Sequence, residues 1–276
     1  MKQIVVLLAV ATISLMPLVG NAEITNLNLT KQDTEAGVEL YHYNLPIDDR
    51  SINGYLIKPE GKGPFPGVVV NHGGYSSSSN FGIDIGKIFA QKGYVAIACD
   101  YTHKELRKYG IRGPRAGWEA GASRENIFRA LKNIDILKSL EYVDKNKILM
   151  LGNSMGGFLT LGVVQKSDSI KAAVIIVAGI KNGNPQNSAD RVIEAISPPE
   201  DLVDDISCPL LLLNGENDEK VDIKYPKHLK SLLDRYKKRS RLIIYPGVGH
   251  DLLRRYQNDT FKEIFDFFDE HIRKYN

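Results

Sequence analysis

Short apolar runs alternate with longer stretches of helical periodicity along most of this chain. We predict a β-strand at each of the apolar runs Val38–Asn44, Ile52–Lys58, Gly67–Asn71, Tyr94–Cys99, Ile148–Leu151, Ala172–Val177, Leu210–Leu213 and Arg241–Tyr245. The central runs are continuously apolar, which is typical of parallel strands covered on both faces. The first two runs alternate between apolar and polar residues. This predicts an antiparallel hairpin at one edge, turned by Asp48, Asp49 and Arg50.

Two long segments between these runs have apolar residues at helical spacing. One predicts a helix running roughly from Trp118 to Leu140, and the other a helix near the C-terminus, from about Phe261 to Ile272. Strands that alternate with helices indicate a doubly wound α/β fold. We therefore predict a single domain with a mostly parallel central sheet of about eight strands. The sequence contains no internal repeat and no linker that would separate two domains.

Two segments follow neither periodicity. Asp100–Gly121 is basic and aromatic, and Lys181–Ser207 is polar and contains three prolines. Long irregular insertions in a compact domain are often functional loops or lids, so both segments are candidates for that role.

The first residues differ in character from the rest of the chain. Lys2 precedes the apolar run Ile4–Leu18, and Gly20 and Ala22 provide the small residues of a cleavage site. This pattern is that of a secretory signal peptide, and the run is short for a membrane span. We predict a signal peptide at residues 1–22 and a catalytic domain at 23–276. The protein is then expected to be periplasmic or secreted, with no stable membrane insertion after cleavage.

Composition and charge exclude several classes of protein. The chain is 43% hydrophobic and 25% charged, with a net charge of +3, which argues against a disordered chain and against a nucleic-acid partner. Cys99 and Cys208 would lie at opposite edges of a parallel sheet, so we predict two buried free thiols and no disulfide. No Cys/His spacing typical of a metal site and no phosphate-binding loop occurs, so we predict no metal and no cofactor.

The segment Gly152–Gly157 carries the strongest chemical signal. It reads Gly-Asn-Ser-Met-Gly-Gly and lies between the apolar run ending at Leu151 and a helical pattern beginning at Phe158. This is a G-x-S-x-G motif in the strand, sharp turn and helix that it requires. Such a turn exposes the serine hydroxyl, and the helix N-terminus directs backbone N–H groups toward a developing oxyanion. Ser154 is therefore the predicted nucleophile.

A serine nucleophile needs a base, and the base needs a carboxylate to orient it. Asp218 follows the strand Leu210–Leu213, and His250 follows the strand Arg241–Tyr245 in a glycine-flanked loop. The carboxyl ends of parallel strands meet at one edge of the sheet, so these residues are expected to meet Ser154. Glu216, which follows the strand more closely, is the alternative acid.

The strand Gly67–Asn71 runs directly into His72-Gly-Gly-Tyr75, and this loop predicts an oxyanion hole. In such sites one N–H comes from the residue after the nucleophile, here Met155, and the other from the loop after an early strand. We favour the N–H of Gly74 as the second donor, and Tyr75 is an alternative through its N–H or hydroxyl. His72 is interpreted as a structural histidine.

With these motifs in view, the chain resembles the α/β-hydrolase superfamily, and within it the dienelactone hydrolase and prolyl oligopeptidase group. The resemblance rests on Asn71–Gly74, Gly152–Gly157, Asn214–Asp218 and Gly247–His250, in the order Ser, Asp, His. Two departures matter. Dienelactone hydrolases use a cysteine nucleophile, whereas this chain has Ser154. Prolyl oligopeptidases carry a large propeller domain before the catalytic one, whereas about 40 residues of the expected mature chain precede Gly67.

Both departures favour a small serine esterase, secreted on account of residues 1–22, that would act on a small-molecule ester through an acyl-enzyme. Alternatives are a serine peptidase, thioesterase or lactonase of the same fold, and a non-catalytic binding module. Arg112, Arg115 and Trp118 lie in the basic segment after the strand that ends at Cys99. They are predicted to contact a carboxylate or ring of the substrate, and the alternative is that this segment is a solvated connector.

Overall fold

A computed structural model describes residues 24, 26–107 and 119–273. In this part of the chain the strands are β1 Asn28–Glu35, β2 Val38–Ile47, β3 Arg50–Pro59, β4 Phe65–Asn71, β5 Val95–Cys99, β6 Val143–Asn153, β7 Ala172–Ile176, β8 Leu210–Gly215 and β9 Ser240–Tyr245. The α-helices are α1 Ile83–Gln91, α2 Arg124–Ser139, α3 Met155–Val164, α4 Ser188–Ile196, α5 Lys224–Arg235, α6 Leu252–Arg255 and α7 Gln257–Arg273.

The strands form one nine-stranded sheet in the order β1-β2-β3-β5-β4-β6-β7-β8-β9. Strands β4 to β9 run parallel to one another. Strand β3 pairs antiparallel with β5, and β2 and β1 extend this edge as further antiparallel pairs. This confirms the predicted α/β fold with a mostly parallel sheet. The hairpin also forms as predicted: Ile47 pairs with Arg50, and Asp48 and Asp49 form the turn between them, Asp48 at φ 52°.

One strand is missing from the sequence prediction. Strand β1, with the sequence NLTKQDTE, pairs only with β2, and all of its residues are exposed. A strand with no buried face carries no alternation of apolar and polar residues, so periodicity does not reveal it.

Helices cover both faces of the sheet, which explains the continuously apolar central strands. On one face α1 and α7 pack with side chains such as Val68 and Val70, and on the other α2, α3, α4 and α5 pack with side chains such as Val69 and Ile97. The predicted C-terminal helix corresponds to α7. The helix predicted from Trp118 is shorter than expected. It begins at Arg124, because the Ser123 hydroxyl accepts a hydrogen bond from the backbone of Asn126 at 3.3 Å and caps it.

The prediction of an irregular segment over Lys181–Ser207 is wrong in part. The segment contains α4, whose first turn is capped by the Asn187 side chain, and a short 3₁₀ helix at Asp201–Asp205. Both cysteines are buried free thiols as predicted. Within the described ranges, no helix has the length and apolar character to cross a membrane.

Candidate active site

Ser154 lies at the sharp turn between β6 and α3. Its backbone has φ 55° and ψ −120°, a conformation that costs a non-glycine residue about 1–3 kcal/mol, and its N–H donates to the Ile176 carbonyl at 2.8 Å. The flanking glycines are a steric requirement. A Cβ on Gly152 would lie 2.0 Å from the Gly156 carbonyl oxygen, and one on Gly156 would lie 2.1 Å from that of Asn71. The motif therefore forms the strained turn that its spacing predicts.

His250 contacts Ser154 on one side and Asp218 on the other. Its Nε2 lies 3.0 Å from Ser154 Oγ, and its Nδ1 lies 2.8 Å from Asp218 Oδ2 and 3.0 Å from Oδ1. The Asp218 carboxylate is fully buried, whereas 19% of the His250 side chain is exposed. Asp218 Oδ1 also accepts the N–H groups of Lys220 and Val221, both at 2.9 Å. These two backbone hydrogen bonds therefore orient the carboxylate toward the imidazole.

The loops after β8 and β9 hold each other in place. The Asn217 N–H donates to the Val248 carbonyl at 2.8 Å, and the Glu216 carboxylate accepts the Gly247 N–H at 3.0 Å. Glu216, the alternative acid, thus contacts the backbone of the histidine loop rather than the His250 ring. The structure brings Asp218, not Glu216, to the imidazole.

The three residues predicted for the oxyanion hole line one cavity together with Ser154 and His250. Met155 is the first residue of α3, where a helix cannot satisfy its own N–H groups. Gly74 faces the Met155 side chain so closely that a Cβ would lie 2.9 Å from its sulfur. Tyr75 has φ 63° and is about half exposed. The backbone after β4 therefore approaches the start of α3 beside the Ser154 hydroxyl.

Two buried histidines support this loop. His72 Nδ1 lies 2.8 Å from the Gly73 carbonyl, and its Nε2 accepts the Tyr101 N–H at 3.1 Å, so the proton is on Nδ1. His103 Nε2 donates to the His72 carbonyl at 2.9 Å. Burial lowers the pKa of His72 to about 4 and that of His103 to about 3, which keeps both rings neutral. His72 is structural, as interpreted from sequence, and the contribution of His103 was not anticipated.

The cavity beside Ser154 has a volume of about 510 Å³. Its lining includes apolar side chains that sequence reasoning did not identify, namely Phe158 of α3 and Val192, Ile193 and Ile196 of α4. Apolar residues carry no chemical motif, so only the fold reveals their place. Arg112, Arg115 and Trp118 lie outside the described residues. Among the residues that the structure describes, no group of three or more His, Cys, Asp and Glu side chains could hold a metal ion.

One protein family matches most of this chain. Residues 52–271 match the model of the dienelactone hydrolase family. The chain is 24% identical over 252 residues to the uncharacterized peptidase YuxL of Bacillus subtilis, an alignment that covers 82% of this chain and 38% of that protein. The chain therefore spans less than half the length of this relative.

Solved structures share the fold at low identity. A cold-adapted esterase from an Arctic intertidal metagenomic library superimposes with a TM-score of 0.69 and 21% identity, covering 90% of this chain and 99% of the esterase. The acylaminoacyl peptidase of Pyrococcus horikoshii superimposes with a TM-score of 0.67 and 19% identity, covering 87% of this chain and 43% of the peptidase.

Proposed function

The chain belongs to the dienelactone hydrolase family, and on that premise we propose that it is a serine hydrolase that cleaves carboxylic esters of small molecules. One observation carries the proposal: His250 lies 3.0 Å from the Ser154 hydroxyl and 2.8 Å from the Asp218 carboxylate. A serine hydroxyl is a weak nucleophile on its own, and a base at hydrogen-bond distance, itself oriented by an acid, activates it.

In the proposed reaction the Ser154 oxygen attacks the ester carbon while His250 Nε2 takes the hydroxyl proton. Asp218 accepts the Nδ1–H of His250 and stabilises the imidazolium that forms. When the tetrahedral intermediate collapses, His250 returns the proton to the leaving alcohol and the acyl group stays on Ser154. Water, activated by the same imidazole, then hydrolyses the acyl-enzyme and releases the carboxylic acid.

The negative charge on the former carbonyl oxygen requires hydrogen-bond donors in place before the reaction. We assign one to the Met155 N–H, at the positive end of α3. We assign the second to the N–H of Gly74, with Tyr75 as the alternative donor. The packing of the loop after β4 against the start of α3 supports this assignment, because a Cβ on Gly73 would lie 3.3 Å from Ser154 Cβ and one on Gly74 would lie 2.9 Å from the Met155 sulfur.

Esters are proposed over peptides as substrates on the match to the dienelactone hydrolase family over residues 52–271, and the cold-adapted esterase shares the fold over 90% of this chain and 99% of its own. A peptidase activity is the second candidate, since YuxL and the acylaminoacyl peptidase carry that name. We further propose that residues 1–22 are removed on export. The protein purified from its native compartment is then expected to begin at Glu23, which N-terminal sequencing checks.

A labelling experiment tests the catalytic assignment. A fluorophosphonate probe is expected to label the wild-type protein at Ser154 and to leave Ser154→Ala unlabelled. His250→Ala is expected to lower kcat by several orders of magnitude. Equal labelling of Ser154→Ala overturns the proposal, and so does the absence of any hydrolysis, which indicates a non-catalytic binding module. Turnover of an aminoacyl amide well above matched esters, thioesters and lactones reassigns the enzyme to the peptidases.

A further inference from the structure

The cavity beside Ser154 has an apolar wall formed mainly by α4. Ile193 and Ile196 are almost completely buried, Val192 is half-buried, and all three line the cavity together with Phe158 of α3. On the opposite face of the same helix, Glu194 is exposed. Helix α4 thus turns its apolar side toward Ser154 and its charged side toward solvent.

Contacts at both ends hold α4 in place. At its carboxyl end the Ile196 carbonyl accepts the Ala122 N–H at 2.9 Å, and a Cβ on Gly121 would lie only 2.6 Å from that carbonyl oxygen. At its amino end the Asp190 carboxylate accepts hydrogen bonds from the Tyr225 hydroxyl and from Lys224 Nζ, the latter at 2.7 Å. These contacts tie both ends of the helix to neighbouring parts of the fold.

The position of His250 indicates which part of an ester faces this wall. Its Nε2 must reach the leaving oxygen to protonate it, so the alcohol departs on the side of His250. A second, open cavity of about 890 Å³ shares His250 and Lys220 with the first and is lined by polar side chains such as Asn217, Arg254 and Arg255. This arrangement favours the polar cavity for the alcohol and the α4 side for the acyl group.

We propose that α4 forms one wall of an acyl pocket, and that the preferred substrates are esters of uncharged apolar acids. The proposal rests on the ester hydrolysis proposed above. Val192 and Ile196 set the length of the acyl group that the pocket accepts. A carboxylate at the α4 end of the acyl chain is disfavoured, because it would meet apolar side chains and lose its water there, whereas Lys220, the cation that lines this cavity, lies on the side shared with the second cavity.

A series of p-nitrophenyl esters with straight acyl chains of two to ten carbons tests the proposal. We expect kcat/KM to rise about fourfold for each CH₂ group that becomes buried, and then to fall once the chain meets the α4 wall. Ile196→Ala is expected to move the optimum to longer chains. Val192→Thr keeps the volume but adds a hydroxyl, so it is expected to lower kcat/KM for the longer esters far more than for acetate.

Two controls separate this effect from a general loss of structure. Glu194→Ala, on the exposed face of α4, is expected to keep the wild-type chain-length profile. For acetate esters of alcohols of increasing length, kcat/KM is expected to change with alcohol length in the same way in wild type and in Ile196→Ala. If Ile196→Ala does not fold, Val192→Thr decides the question.

The outcomes distinguish this proposal from the function on which it rests. If Ser154 is labelled and esters are hydrolysed, but the α4 variants keep the wild-type profile, the acyl-pocket assignment is wrong and the esterase assignment stands. The same holds if the variants change the response to alcohol length instead of acyl length. If Ser154 is not labelled and no ester is hydrolysed, both proposals fail.

Discussion

Replacing Asp218 with asparagine tests the role of the carboxylate with almost no change in shape. In the wild type, Oδ1 accepts two backbone N–H groups and Oδ2 lies 2.8 Å from His250 Nδ1. In Asp218→Asn the loop N–H groups will keep the new amide oxygen at the Oδ1 position. The amide nitrogen then takes the Oδ2 position and donates to Nδ1, so the imidazole carries its proton on Nε2, where it cannot accept the Ser154 proton.

The expected loss follows from this change of tautomer. Removing the orienting carboxylate of a serine triad in this way lowers kcat about 10⁴-fold, which corresponds to about 5.5 kcal/mol of transition-state stabilisation. The assay is steady-state hydrolysis of p-nitrophenyl acetate, with urea unfolding to show that the variant is folded. Binding of the ester should change little, so the loss should appear in kcat rather than KM.

Glu216→Gln is the matched control, because it makes the same chemical change two residues away. Its amide oxygen can still accept the Gly247 N–H that Glu216 accepts at 3.0 Å. We expect kcat within about twofold of wild type, as for a neutral surface substitution. A large loss in Glu216→Gln combined with unchanged kinetics in Asp218→Asn would refute the reasoning and move the acid to Glu216.

Three further predictions concern stability and specificity. Burial lowers the pKa of His72 from 6.5 to about 4, so below pH 6.5 the unfolded chain binds a proton that the folded chain excludes. The free energy of unfolding should therefore fall by about 3 kcal/mol between pH 6.5 and 4 on account of His72. His103→Gln removes the second buried neutral imidazole. The free energy of unfolding measured in urea should then fall less steeply as the pH is lowered below 6.5. Ser154→Gly should be more stable to urea than Ser154→Ala by about 1 kcal/mol, because glycine adopts the φ of 55° without strain. Arg115→Ala is expected to lower kcat/KM for esters whose alcohol carries a carboxylate far more than for neutral esters of equal size, because the α4 wall receives the uncharged acyl group. A uniform small loss would leave the Asp100–Gly121 segment as a connector.

Sequence periodicity predicts the strands of this fold well wherever a strand has a buried side. Strands such as β4 and β8 are covered on both faces and are continuously apolar, so they stand out. Strand β1 is exposed on both faces and leaves no such pattern. Helix α4 has one buried side, but it is only nine residues long and lies in a polar segment with three prolines, so its spacing does not stand out. The contrast reflects the physical origin of the signal, which is burial rather than backbone conformation.

The site divides in a similar way. Ser154, Asp218 and His250 each belong to a short local motif, because a sharp turn or a strand end constrains the residues next to it. His103 and Ile196 have no such motif. His103 supports the loop after β4 from a segment 31 residues away, and Ile196 reaches the cavity on a separate helix. Contacts between distant segments depend on the whole fold, so a single sequence does not predict them.

One glycine connects the sheet to the geometry of the site. Gly215 ends β8, and a Cβ at this position would lie 2.3 Å from the Val248 carbonyl oxygen and 2.5 Å from that of Gly249. Gly215→Ala must therefore move the loop that carries His250 by about 1 Å to reach an ordinary contact distance. A displacement of that size can cost about 10²-fold in rate, since His250 Nε2 must stay within hydrogen-bond distance of Ser154.

Gly249→Ala is the matched control beside His250, because its Cβ would meet nothing closer than 3.6 Å. We expect kcat to fall strongly in Gly215→Ala and to stay within a few-fold of wild type in Gly249→Ala. If Gly215→Ala is folded and fully active, the packing of β8 against this loop does not position His250.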